Sequence, residues 1–228
     1  MKLMAVFFLF FIYSTSSFSK ELFAMENETE VRLCNNYKDI HHCFTENIES
    51  KSDKDRLGAI VVYLNNYEKL HKLYDYNEIL LNLSEMTYKR NFNALILEAS
   101  IYYLGFHVDR DVNKAVALLK KVPEGKYSAA AYGLLGKIYL YILNSNDKNN
   151  KKNELYILAK QSFYKSHLMG EESSTRALAF IMLKYGAKDD FIEAGKLLEY
   201  LASKGNKEDM DSYEKYQGYS TKILDDVD

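Results

Sequence analysis

The densest group of chemically capable side chains lies near the N-terminus, where Cys34, His41, His42 and Cys43 follow one another closely. Thiolates and imidazoles are ligands that zinc prefers, so a metal site is one reading of this group. The adjacent positions 41–43 lack the paired spacings of ordinary zinc sites, and no motif points to a nucleophilic thiol. We therefore expect no metal, and a Cys34–Cys43 disulfide that an oxidising compartment would permit.

The remaining candidates for catalysis do not form a recognisable pattern. His71, His107 and His167 complete the five histidines, and none belongs to an H-x3-H or H-E-x2-H sequence. The chain contains no G-x-S-x-G, P-loop or G-x-G-x2-G motif. The sequence thus predicts no catalytic residues, no metal and no cofactor, with a divergent enzyme that lacks a motif kept as an alternative.

Composition and periodicity predict that helices supply the framework. Among 228 residues there are one proline and ten glycines, which are too few turn formers for a sandwich or barrel, and there is no tryptophan. Residues 53–64 and 77–88 carry apolar side chains at three- and four-residue spacing, as amphipathic helices do. Polar breaks at Asn65-Asn66 and Asp75-Tyr76 separate these helices from their neighbours.

A small residue followed by a large one recurs along the second half of the chain, in Ala99-x2-Tyr102, Leu135-Gly136-x2-Tyr139 and Leu178-Ala179-x2-Met182. The large residues are 37 and 43 positions apart, and the longer interval contains a Lys/Asn-rich insert at 145–154. Asp111 and Asp190 each precede a second helical segment and are predicted N-caps. Small residues let paired helices approach closely, and stacked pairs bury the faces that one pair leaves open. The pattern predicts an all-α chain, a short α-solenoid of stacked antiparallel helix pairs.

The runs 98–115 and 190–205 resemble the Sel-one-like repeat, a tetratricopeptide-related α-solenoid class. Two departures stand out: Glu98 replaces the usual leucine, and His107 replaces the second turn glycine. If position 107 keeps a positive φ, a non-glycine residue there is strained. The resemblance implies repeat-structural roles for Ala99, Tyr102, Gly105, Ala115, Gly136, Tyr139, Ala194 and Gly205.

The N-terminus predicts export. A basic Lys2, an apolar run at 3–13 and small residues up to Ser19 form the three parts of a signal peptide, and the apolar run is too short to span a bilayer. We expect a signal peptide at 1–19, a disulfide-pinned segment at 20–52, a divergent helical N-cap at 53–91, repeats at 92–208, and a capping helix with a tail at 209–228. The expected location is the periplasm, with secretion as the second choice and no stable membrane insertion after cleavage.

The function predicted from these features is binding of a protein partner. Thirty basic against thirty-two acidic residues do not form the basic surface of a nucleic-acid-binding protein. Tyrosine and arginine are enriched at binding hot spots, so the first helices of the repeats are expected to present Tyr103, Tyr132, Tyr141, Arg176 and Lys184. Exported proteins that look like this include immunity proteins against toxins such as phospholipase effectors, which is the favoured function. A secreted effector and an envelope adaptor scaffold are alternatives, and the sequence sets no oligomeric state.

Overall fold

The computed structural model describes residues 39–125, 127–145 and 151–225, and the regular elements within those ranges are all α-helices. The expectation of an all-α chain is confirmed over this part. The described helices are α1 (Ile40–Ile48), α2 (Asp53–Asn65), α3 (Tyr67–Leu70), α4 (Tyr76–Tyr88), α5 (Phe92–Leu104), α6 (Val112–Leu119), α7 (Ser128–Ser145), α8 (Lys152–Leu168), α9 (Glu172–Tyr185), α10 (Lys188–Ala202) and α11 (Lys207–Asp225).

The chain divides into two compact units, with the boundary between Asp111 and Val112. This boundary falls inside the first predicted repeat, because α5 belongs to the first unit and α6 to the second. Within each unit, helices close in sequence pack on one another. A continuous solenoid over 92–208 stays a prediction.

In the first unit, α2 is the central helix. Residues 59–64 are all buried, so this helix has no solvent-facing side over nearly two turns, as a helix surrounded by neighbours requires. It packs against α1, α3 and α4, and α4 packs in turn against α5. The predicted helices at 53–64 and 77–88 are confirmed as α2 and α4.

Polar residues begin these helices. The side chain of Ser52 accepts from the Asp55 N–H at 3.4 Å, and the carboxylate of Asp75 accepts from the Asn77 N–H at 2.9 Å. Such caps satisfy N–H groups that have no partner within the first turn. Asp75 belongs to a predicted polar break and sets where α4 starts, whereas Ser52, which begins α2, lies outside the predicted breaks.

In the second unit, each helix from α7 to α11 packs on the next. Two of these helices approach closely at Gly136 on α7, where an added Cβ would lie 2.6 Å from Cδ1 of Phe163 on α8. Phe163 is completely buried, so its ring occupies the space that a side chain at 136 would need. A glycine at this position lets the two helix backbones come together around one aromatic ring.

The prediction that Asp190 is an N-cap is wrong. Helix α10 begins at Lys188, with Ala187 at the N-cap position. Asp190 is the third helical residue, and its Oδ2 accepts from the Ala187 N–H at 3.3 Å. A carboxylate one turn into the helix can reach back to the same N–H groups, which lets the helix start before the acidic residue.

Two predictions fall outside the described residues. The signal peptide at 1–19 lies there, and so does Cys34. Cys43 is buried in α1, with Nδ2 of Asn47 3.6 Å from its sulfur. The Cys34–Cys43 disulfide stays a prediction.

Candidate functional site

The five residues predicted to bind a partner do not share one exposed surface. Tyr103 on α5 is only 7% exposed, so its ring has almost no area to offer a partner. The other four lie in the second unit, on α7 and α9. Their contacts show which of them stabilise that unit.

Tyr132 belongs to a small polar cluster on α7 and α8. Its hydroxyl donates to Oε1 of Glu124 at 3.0 Å and accepts from Nζ of Lys165 at 3.2 Å. The same ammonium group lies 4.6 Å from the centre of the Tyr132 ring. The hydrogen bond from Tyr132, followed by that from Lys165, lowers the pKa of the Glu124 carboxyl. Tyr132 therefore ties the segment before α7 to α8 and is only half-buried.

Arg176 joins α9 to α11. Its Nε and Nη2 donate to Oδ1 and Oδ2 of Asp209 at 2.8 and 2.7 Å, which is a two-bond fork. Glu172 lies farther away, with its Oε2 3.4 Å from Nη2. Because its guanidinium is engaged within the protein, Arg176 is a structural residue of the α9–α11 contact.

Lys184 and Tyr141 lie toward the other end of the same helices. Nζ of Lys184 donates to Oδ1 of Asn144 at 3.2 Å and lies 4.9 Å from the centre of the Tyr185 ring. Tyr141 is half-buried on α7. These two residues are more accessible than Tyr103, but neither stands in a continuous apolar area.

The repeat-structural residues lie where small side chains are needed. Ala99, Ala115 and Ala194 are completely buried, and Gly136 is in contact with Phe163. Gly105 ends α5 with φ of +67°, and Gly205 has φ of +84° beyond α10. Tyr102 and Tyr139 are half-buried.

The large apolar side chains most exposed in the second unit lie mainly on α8 and α10. Six of them form what we call the α8–α10 surface, and each is between 41% and 65% exposed. The members are Ile157, Tyr164, Leu168, Met169, Ile192 and Tyr200. The first helices α7 and α9 contribute none of the strongly exposed apolar residues among those described, so the available apolar area is on the opposite helices from those predicted.

Side chains hold α8 and α10 side by side at both ends of this surface. Near the helix starts, the Tyr156 hydroxyl donates to Oδ2 of Asp190 at 2.7 Å, and Nζ of Lys160 donates to the other carboxylate oxygen. Burial alone would raise the pKa of the Asp190 carboxyl, but the bonds from Lys160 and Tyr156 outweigh it and the pKa is lowered. Near the helix ends, the His167 and Tyr200 rings meet edge to face, 6.4 Å apart.

His167 stands between the two tyrosines of the surface. Its ring centre is 6.1 Å from that of Tyr164 on the same helix, in addition to the contact with Tyr200. Nζ of Lys204 lies 4.8 Å from the centre of the Tyr200 ring and donates to Oε1 of Glu172 at 2.5 Å. The centre of the surface is thus an aromatic group with a charged pair at its rim.

Sequence reasoning missed this surface, although a signal for it exists. Residues 157, 164 and 168 share one helical face beside the buried positions 156, 159 and 163. Helix α8 therefore carries apolar side chains over a wider part of its circumference than contact with one neighbouring helix requires. The small/large repeat motif instead predicted a binding site on the first helix of each pair.

The first unit holds a second aromatic group around Tyr67. His107 stacks on the Tyr67 ring at 3.8 Å between centres, and His71 stacks on it at 4.8 Å. His107 has φ of +52°, so position 107 has the left-handed conformation despite carrying a side chain. The Tyr76 hydroxyl donates to the neighbouring Phe106 carbonyl at 2.7 Å and helps hold this turn. An open depression borders the group, so these rings pack together in a turn next to solvent.

Metal binding and membrane insertion each require specific features in the described ranges. No three His, Cys, Asp or Glu side chains come together there as a metal ion would need. None of the helices in those ranges has both the length and the apolar character needed to cross a bilayer.

The comparisons with known proteins found no relative of this chain. No protein-family model matches the chain, and no curated protein or solved structure matches it. The Sel-one-like resemblance therefore rests on the sequence motifs and stays a prediction.

Proposed function

We propose that this chain is an exported, non-catalytic protein that binds another protein through the α8–α10 surface. The observation that carries the proposal is the group of six large apolar side chains, each 41–65% exposed, on two helices held side by side. Several large apolar side chains left exposed on neighbouring helices of a folded chain are typical of an interaction site. Its two tyrosines and the charged pair beside them match the composition of protein interfaces.

The finer proposal is an immunity or inhibitor protein of the periplasm that neutralises a secreted toxin such as a phospholipase effector. It is supported by the signal-like N-terminus. A secreted effector, an envelope adaptor scaffold and a divergent enzyme would differ in where the protein is found and in what it captures. The experiment is designed to separate them.

The test is capture of partners by the full chain from its own cell envelope and culture medium, read by mass spectrometry. Parallel captures use Tyr164→Ala and Tyr200→Ala, which remove the two aromatic rings of the surface. Tyr88→Ala is the matched control, because Tyr88 is a tyrosine 89% exposed in the first unit. Any captured protein is then purified, and its affinity for the four chains is measured by calorimetry.

We expect one dominant partner that binds with one-to-one stoichiometry. Its affinity should fall about 10- to 100-fold with either substitution on the surface, as for a binding hot spot, and should stay unchanged in the control. A toxin as that partner supports the immunity function, and several envelope-assembly proteins support an adaptor. Equal affinity of all four chains contradicts the proposed surface, and a protein recovered from the medium without a partner favours a secreted effector.

A further inference from the structure

The imidazole of His167 has one nitrogen occupied by a contact that fixes its direction. Nδ1 lies 2.8 Å from Oγ1 of Thr175, a residue that is 1% exposed at the start of α9. The Thr175 hydroxyl already donates its single proton to the Glu171 carbonyl at 3.1 Å. With the hydroxyl proton on that carbonyl, the oxygen can only accept from the ring, and on this assignment Nδ1 of His167 carries the hydrogen and donates it.

This assignment leaves a definite group on the other edge of the ring. In a neutral imidazole one nitrogen donates and the other accepts, so Nε2 carries a lone pair when Nδ1 carries the hydrogen. Thr175 is on the buried side, and Nε2 is on the opposite edge of the half-buried ring. None of the described residues donates a hydrogen bond to Nε2.

The His167 ring has two aromatic neighbours. Tyr164 and Tyr200 flank the ring, and both are nearly half exposed. The nearest cation of the rim, Lys204, is paired with Glu172. A group that enters between the two tyrosines meets apolar ring area and one acceptor, so a flat apolar group that also carries a donor is the best complement.

We propose that His167 is the specificity-determining acceptor of the α8–α10 surface, and that it receives an aromatic N–H or O–H group from the protein partner. The side chains with that chemistry are tryptophan and tyrosine, which are also the commonest hot-spot residues of protein interfaces. The inference rests on the proposed function, because it names the chemistry of the partner of that same surface.

The test uses indole and 1-methylindole as probes. The two molecules have nearly the same aromatic area, but only indole carries an N–H donor. Each is titrated into the full chain at pH 8, and the side-chain NMR signals of Tyr164, His167 and Tyr200 are followed. We expect indole to bind at these residues about 3- to 10-fold more tightly than 1-methylindole, the value of one hydrogen bond.

Two variants separate the acceptor from the ring. His167→Phe keeps an aromatic ring and removes both nitrogens, so indole should lose its advantage and the two probes should bind equally. Thr175→Val leaves the imidazole in place but removes the group that fixes Nδ1–H. In a long-range proton–nitrogen spectrum the wild-type ring should show Nδ1–H alone, and the valine variant should show both tautomers.

Several outcomes overturn the inference without touching the proposed function. An Nε2–H tautomer in the wild type removes the acceptor, and equal binding of the two probes to the wild type shows that no donor is read. Signals of these three residues that do not move with either probe refute the aromatic complement. The capture experiment decides the proposed function independently, because it reads loss of affinity at Tyr164 and Tyr200 for a whole protein.

Discussion

Replacing Arg176 by methionine removes the group that holds α11 on α9 while keeping most of the aliphatic volume of the side chain. In the folded protein, two hydrogen bonds of 2.7 and 2.8 Å join its guanidinium to the Asp209 carboxylate. The Asp209 side chain is only 6% exposed. The substitution therefore leaves a nearly buried carboxylate without its cation.

The size of the effect follows from this burial. Removing one partner of a buried ion pair costs about 3–5 kcal/mol, because the remaining charge is left uncompensated. The Arg176 side chain is 41% exposed, so water can replace part of what it supplied to Asp209. We expect Arg176→Met to lower the free energy of unfolding of the second unit by about 2 kcal/mol.

The assay combines urea unfolding with amide hydrogen exchange. Exchange should become faster over 207–219 in α11 before it changes in α8, because the lost contact anchors the last helix. The double variant Arg176→Met/Asp209→Leu should recover most of the stability, since it removes both charges together. Lys196→Met is the control, because its ion pair with Glu193 at 3.1 Å is between exposed side chains and should be worth less than about 0.5 kcal/mol.

A loss no larger than that of the control would refute the structural role assigned to Arg176. So would a double variant as unstable as the single one, because the cost would then come from packing and not from the unpaired charge. If Arg176 served mainly to bind a partner, as the sequence suggested, the substitution would leave stability unchanged and reduce only affinity.

Three further predictions concern other contacts. Gly195→Ala should loosen α11 and cost about 1–3 kcal/mol, because its Cβ would lie 2.3 Å from the Tyr216 ring; faster amide exchange in α11 checks it. Burial raises the pKa of the Asp190 carboxyl, but the bond from Lys160 outweighs it and the pKa is lowered. The carboxylate therefore stabilises the fold at pH values above the ordinary pKa of 3.8, and this stabilisation is lost as pH falls through the folded pKa. Asp190→Asn should therefore flatten the acid limb of the curve of unfolding free energy against pH, and an unchanged limb would contradict this. His107→Ala should destabilise the first unit more than His107→Gly by about 1 kcal/mol, since only glycine adopts φ of +52° without strain; the two thermal midpoints decide it.

Local features of the fold could be predicted from the sequence because they depend on near neighbours. Helices α2 and α4 follow from three- and four-residue apolar spacing, and Ser52 and Asp75 begin them with side chains that reach only two or three residues ahead. For His107 the sequence posed only a conditional expectation, strain if the turn keeps a positive φ, and its φ is +52°.

The candidate site could not be predicted in the same way, because it depends on which part of each helix meets a neighbour. Phe163 and Tyr164 are adjacent aromatics, yet the first is completely buried and the second is half exposed. Arg176 and Asp209 lie 33 positions apart, and the sequence does not state that they pair. Periodicity predicts the direction of a helical face, whereas its exposed width is set by tertiary packing.

The contact between Gly136 and Phe163 has a consequence for how this sequence can change over time. Because the ring occupies the volume that a Cβ at 136 would need, neither position can drift alone without a loss of stability. In any related sequences, a side chain at 136 should therefore occur together with a smaller residue at 163, and an aromatic at 163 should occur with glycine at 136. Such paired variation would also let the register of α7 against α8 be recognised in chains too divergent to align by their other residues.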